Sequence, residues 1–318
     1  YIKLKYDLES KGYRFKSKSD TEVLFFLLIH YGVDDALKKI NGMFAFAFFD
    51  SKKGKLFLCR DRMGIKPLYY YIDNDQLFFG SEIKSISSIV ELKLDITQTI
   101  FSTYWGGDKN ISKTLFDQVY QVPPGSYISI HNDKIKVKSY YDILDCVDES
   151  YYNELDNASP EEVFNSFSDL INKSIEGMLM SDVPIGAFVS GGVDSSLIAA
   201  IARKYNKNIT LFSANVLGKY SEIEGAKRLA RNLNVGLHQI DHSPKDFLNM
   251  WCEATYHYEC PIISYESSIP FAQIAQLANK LGVKPVLTGE GADEIFLGYP
   301  ELILNKYYKY ATAPVKLL

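Results

Sequence analysis

No purely apolar stretch of this chain exceeds seven residues, the length of Val23 to Ile29. A helix needs roughly 20 to cross a bilayer, so no membrane partner is expected. The first residues carry no leader pattern either. Basic residues do not dominate: 35 Lys and Arg against 39 Asp and Glu leave a net charge of −4. That is no footprint for nucleic acid. Cysteine is scarce, and Cys59, Cys146, Cys252 and Cys260 have neither metal nor redox spacing, so the default compartment is a reducing cytoplasm. The five histidines, His30, His131, His238, His242 and His257, show no paired spacing and no serine or cysteine partner motif. They read as ordinary core or surface residues. A GxxxxGK[ST] nucleotide loop is also missing. What the chain has is apolar and aromatic substance, 47% and 14% of 318 residues, enough for more than one core. The length suggests two domains.

Residues 183 to 205, VPIGAFVSGGVDSSLIAAIARKY, organise the rest. The apolar run Ile185 to Val189 reads as a buried strand, and Leu197 to Ala202 as part of an apolar-faced helix. Between them, Gly191 and Gly192 permit a tight turn and close approach of a ligand. The helix start that follows favours anions. Ser190, Ser195 and Ser196 add hydroxyls, and Asp194 can hold a magnesium ion against a bound phosphate. Taken without that chemistry, the stretch is a strand-to-helix turn capped by serine. SGGVDSS is similar to the pyrophosphate loop of the PP-loop ATP-pyrophosphatases, which cleave ATP to AMP and pyrophosphate.

A second chemical cluster, Thr288 to Glu294, follows the apolar run Val283 to Leu287, which predicts a strand. Two glycines beside three carboxylates make a poor core and a good magnesium or ammonium site. The bland alternative is an acidic surface loop. Between residues 160 and 318 strand and helix alternate. Ser159-Pro160-Glu161-Glu162 starts a helix, Ser221 caps another, and the pattern predicts a doubly wound parallel sheet with its ligands at the strands' carboxyl ends. Residues 142 to 159 are acidic and non-periodic and read as a linker.

The first 141 residues read as α+β. A helix ends before Gly12, and Ser19-Asp20-Thr21-Glu22 caps a second one. GMFAFAFFDSKKGKLFLCRD is a hairpin turning at Lys53-Gly54. Pro67 to Ile72 and Gln76 to Phe79 are further strands. Arg60, Asp61, Arg62 and Lys66 form a charged cluster, three basic groups that would hold a loop around one aspartate.

SDTEV, NGMFAFAFFD and RDRMGIKPLYY resemble the glutamine amidotransferase domain of the glutamine-hydrolysing asparagine synthetases, and VPPGSYISI fits the hairpin that closes it. GEGADEIF resembles the second signature of their synthetase domain. The resemblance implies an N-terminal-nucleophile αββα glutaminase sandwich followed by a doubly wound parallel-sheet PP-loop domain. It implies ATP- and glutamine-dependent amidation of a carboxylate, aspartate by default, through an acyl-adenylate. Asp20 would bind the α-amino group of glutamine; the residues alone make it a helix cap. Ser190, Gly191, Gly192 and Ser195 would cradle the pyrophosphate, and Asp194 and Asp293 would coordinate magnesium. Val189 and Ala214 would meet the adenosine, Thr288 and Gly289 the α-phosphate and ribose, and Glu290 would move a proton when ammonia attacks. A homodimer is compatible with the resemblance. The family's nucleophilic cysteine is absent, so the chain as it stands should not hydrolyse glutamine. The expected reason is that both ends are cut from a longer protein. Leu297 stands where many relatives have glycine, Asn215 replaces another, and residues 259 to 270 match the family's acceptor loop only loosely. These departures leave open a sugar-acid or other acceptor, or a non-catalytic ATP-binding relative.

Overall fold

The computed structural model describes residues 1–73, 76–105, 112–132, 134–218, 221–260 and 267–299. They form two compact units: Tyr1–Asn157 with Glu259 and Cys260, and Ala158–Tyr258 with the described residues from Ser267 onward.

In the first unit, α1 (Ile2–Ser10) and α2 (Asp20–Lys39) precede a hairpin of β1 (Ala45–Asp50) and β2 (Lys55–Arg60). Then come β3 (Tyr69–Asp73), β4 (Gln76–Gly80), α3 (Ile83–Ser87), α4 (Ile96–Trp105), β5 (Val119–Gln121), β6 (Ser126–His131), β7 (Lys134–Ser139) and α5 (Glu149–Asn157). The strands make two antiparallel sheets, β1-β2-β6-β7 and β4-β3-β5. Strand alternation gives β2 two buried faces. Phe57 and Cys59 pack with Leu8, Leu27 and Leu37 of the helices, while Leu58 and Ile128 meet Leu68, Tyr70 and Val122. A helical layer thus lies on one sheet and the second sheet lies on its other face.

The charged cluster works differently from its sequence reading. Asp61 is 1% exposed, and its carboxylate accepts the backbone N–H of Phe44, Met63, Ile65 and Lys66 at 2.9–3.2 Å. Arg60, also buried, donates to the carbonyls of Gly64, Lys66 and Val122. Charge is met by main-chain dipoles, because a tight loop presents more amides and carbonyls than side chains. Residues 142–159 also depart from a non-periodic linker. Asp148 accepts the N–H of Ser150 and Tyr151 and starts α5, a cap hidden in acidic composition.

In the second unit, α6 (Pro160–Met178) opens on a capping box between Ser159 and Glu162. Then follow β8 (Gly186–Phe188), α7 (Val193–Tyr205), β9 (Thr210–Val216), α8 (Ile223–Leu233), β10 (Leu237–His242), α9 (Pro244–Tyr258), α10 (Ser268–Lys280), β11 (Val286–Leu287) and α11 (Ala292–Phe296). Ser221 sits one place before the cap of α8, which is Glu222. The four strands are parallel in the order β10-β9-β8-β11. On one face Ala187, Val189 and Leu211 pack with residues of α6, α7 and α8; on the other Phe188 and Phe212 pack with Ile274 and Ala278 of α10. β8, buried on both faces, reads with its flanks Ile185 and Val189 as one continuous apolar run. β11 is shorter than the Val283–Leu287 run, because the Val283 N–H bonds the Ala278 carbonyl at the end of α10 and Pro285 has no N–H to offer. The chain builds outward from β8 through β9 to β10, then returns to place β11 on the other side of β8. The crevice at the carboxyl ends of β8 and β11 is therefore where connections part, the position at which such sheets take ligands.

Candidate functional site

Beyond β8 the chain turns through Val189, Ser190, Gly191 and Gly192 into α7. Gly191 has φ +97°. A Cβ there would lie 2.8 Å from the Ala226 nitrogen and 2.9 Å from the Gly225 Cα, both backbone. Gly191 is thus required by contact with the start of α8, and it is not among the residues lining the cavity described below. Gly192 is the N-cap of α7 with no side-chain cap bond, so the opening N–H groups of that helix are left for another acceptor. The two serines bond locally: Gly192 N–H donates to Ser190 Oγ at 3.1 Å, and the hydroxyls of Ser190 and Ser195 lie 3.2 Å apart. Such weak internal bonds can be exchanged for those of an incoming anion.

The second loop, Thr288 to Gly291, leaves β11 and enters α11 with Gly291 at φ +90°. It reaches the first loop directly. A Cβ on Gly289 would stand 3.1 Å from the Ser195 nitrogen and 3.3 Å from the Asp194 Cβ. Both loops line one cavity of about 450 Å³. Its polar side presents Ser190, Gly192, Asp194, Ser195, Thr288, Gly289, Glu290 and Asp293; its apolar end is made by Phe188, Ala214, Pro270, Phe271 and Ile274. Val189 also lines it. Asp194 and Asp293, from two elements remote in sequence, face the same space. Asp20 belongs to the first unit, exposed at the start of α2 where Ser19 is the cap. Residues 261–266 of the expected acceptor loop lie outside the described residues.

Sequence reasoning missed Glu222 and Tyr299 on the cavity wall, which Glu294 of the acidic cluster also lines. Glu222 arrives because Gly225 and Gly191 pack their backbones together. Tyr299 donates to Glu294 Oε1 at 3.2 Å, and that bond raises the tyrosine's pKa. Neither Glu222 nor Tyr299 carried a signal in the sequence. Asn215 does not line the cavity: it is buried, donates to Asp241 at 2.7 Å and accepts from Ser221 at 2.6 Å.

Among the described lining residues are five carboxylates, Asp194, Glu222, Glu290, Asp293 and Glu294, and no Lys, Arg or His. Among the described residues no cluster of three or more His, Cys, Asp or Glu could hold a metal by itself. A magnesium ion fits such a donor set, since it takes one or two carboxylates and completes its shell with water and substrate phosphate. None of the described lining residues is a cysteine. Cys59 is in the first unit's core and burial pushes its thiol well above the ordinary range.

A unit of antiparallel sheets followed by a parallel α/β unit, with two glycine-bearing loops around an acidic cavity, defines a two-module protein whose second module carries that cavity at its strand ends. Residues 1–141 match the family described as glutamine amidotransferase domain, and residues 166–314 the family described as asparagine synthase. Along most of its length the chain is similar to the glutamine-hydrolysing asparagine synthetases. It is 34% identical over 304 residues to asparagine synthetase [glutamine-hydrolyzing] 1 of Bacillus subtilis, covering 94% of this chain and 46% of that protein. It is 30% identical over 307 residues to the putative asparagine synthetase [glutamine-hydrolyzing] 2 of Methanocaldococcus jannaschii, covering 94% and 56%. Amidase chyE of Penicillium rubens is 29% identical over 316 residues, covering 92% and 45%. The chain thus spans about half the length of the curated relatives it matches. Among the described residues no helix is long and apolar enough to cross a membrane.

Proposed function

We propose that this chain is part of an ATP-dependent enzyme that uses ammonia from glutamine to convert a carboxylate, aspartate first, into an amide. The observation that carries the reading is the meeting of the two loops, Gly289 against Asp194 and Ser195, around one cavity. Residues 1–141 are the glutaminase, an N-terminal-nucleophile αββα sandwich. Residues 142–159 are the connector, and 160–318 the PP-loop synthetase. A cytoplasmic enzyme working as a homodimer belongs to the same reading.

Ser190, Gly191, Gly192, Ser195 and the first N–H groups of α7 receive the pyrophosphate part of ATP, exchanging the local serine bonds for bonds to phosphate oxygens. Val189 and Ala214 meet the adenosine beside an apolar wall that a base can stack on, and Thr288 and Gly289 lie toward the α-phosphate and ribose. Asp194 and Asp293 hold magnesium. The ion, when bound, neutralises charge building on the leaving pyrophosphate. The substrate carboxylate attacks the α-phosphorus, pyrophosphate leaves, and ammonia then displaces AMP from the acyl-adenylate. Glu290 accepts the proton that the attacking nitrogen must lose. In the first unit Asp20 pairs with the ammonium of glutamine.

The test is isotope exchange between pyrophosphate and ATP on the full-length protein. Exchange that depends on aspartate is the expected result, and exchange indifferent to aspartate removes that acceptor. The likeness to Amidase chyE favours a second reading, an acceptor other than aspartate on the same ATP chemistry. A screen of carboxylates for AMP release separates the two.

A further inference from the structure

α11 ends in a turn that folds back on its own beginning. Leu297 takes φ +59°, a left-handed conformation, and this brings the Gly298 N–H to the Asp293 carbonyl at 3.0 Å. Gly298 itself is not among the residues at positive φ, so its backbone would accept any small side chain. Space forbids one. A Cβ on Gly298 would fall onto the Asp293 carboxylate, 2.7 Å from its Cγ and 3.0 Å from its Cβ. The carboxylate therefore lies against the bare Cα of Gly298. The same turn reaches the neighbouring acid through the bond from Tyr299 to Glu294.

We propose that Gly298 is a positioning residue: by lacking a side chain it sets the direction in which the Asp293 carboxylate points into the cavity. This rests on the proposed role of Asp293 toward magnesium-bound ATP. A methyl at 298 must turn that carboxylate aside, because the backbone on both sides is fixed by the Gly298–Asp293 bond. Misaimed metal carboxylates lose about 10- to 100-fold in affinity.

The experiment measures Mn²⁺ binding to the full-length protein in the presence of ATP by electron paramagnetic resonance, with calorimetry of ATP binding alongside. Gly298→Ala is expected to weaken Mn²⁺ binding about tenfold or more. Asp293→Asn should do the same, and the double variant should be no weaker than Asp293→Asn alone, since both act through one carboxylate. Leu297→Gly, which leaves the Asp293 side chain untouched, should bind as wild type. Wild-type affinity in Gly298→Ala, or a loss that adds fully to that of Asp293→Asn, overturns the inference. Wild-type affinity in Asp293→Asn instead overturns the reading beneath it. Should Gly298→Ala fail to melt cooperatively, pairing it with Asp293→Ala restores folding, because that side chain is what the methyl strikes; no restoration overturns the inference.

Discussion

Replacing Gly191 with alanine offers a quantitative test of how the first loop is held. Two costs combine. At φ +97° an alanine is strained by about 1–2 kcal/mol. Its Cβ would then stand 2.8 Å from the Ala226 nitrogen, 2.9 Å from the Gly225 Cα and 3.0 Å from the Glu222 carbonyl oxygen. All three are backbone at the start of α8, with no flexible side chain to swing away. Overpacking of this kind costs about 1–3 kcal/mol. Together they give about 2–5 kcal/mol, a large share of the roughly 5–15 kcal/mol that stabilises a domain. Gly192 is the internal control. At φ −69° it can take a Cβ, which would meet only the Ser190 hydroxyl at 3.2 Å. Gly192→Ala should lie within about 1 kcal/mol of wild type. Hydrogen exchange resolved by peptide suits a chain of two units, because each unit is followed on its own. Protection in β8, α7 and α8 should fall about 30-fold or more in Gly191→Ala while the first unit's β2 and β6 are unchanged. Equal protection in the two glycine variants would refute the claim that the Gly191 contact holds the loop against α8.

Asp61→Asn should cost the first unit about 2–3 kcal/mol in chemical denaturation, because an amide nitrogen is placed before N–H donors that a buried carboxylate now satisfies. The bond from Asn215, followed by that from Gln239, holds the Asp241 carboxyl below the ordinary carboxylate range. A folded value below the unfolded one, near 3.9, gives stability that is present above that pH and lost as pH falls through the lowered folded value. In Asn215→Ala, carboxyl NMR should therefore show Asp241 titrating at higher pH; an unchanged titration refutes the pairing. Chelation of divalent cations should abolish ATP binding measured by calorimetry, since five carboxylates and no basic side chain line the described cavity. ATP bound as tightly in chelator as in magnesium would refute that account.

Some of this protein was legible in the chain because it depends on neighbours in sequence. The β1–β2 hairpin, the helix start at Ser159 and the strand–loop–helix around Gly191 follow from alternation, a capping box and two glycines. These are short-range preferences that each segment expresses by itself. The helix of residues 149–157 escaped because its cap, Asp148, was lost among other acids. Asp61 and Arg60 were read as mutual partners because sequence shows side-chain charge and conceals the amides and carbonyls that meet it.

The chemical character of the site, serines, glycines and carboxylates at two strand ends, was in the sequence alone, since residue type and strand periodicity need no partner. Only the tertiary structure decided that these ends meet. Returning the chain to set β11 beside β8 brings Gly289 onto Asp194 and Ser195 across nearly a hundred residues. The same packing set Gly191 against Gly225, and the Asp293 carboxylate against Gly298. A contact of backbone on backbone leaves no mark in composition or spacing, because what it requires is the absence of a side chain at a place that distant elements choose.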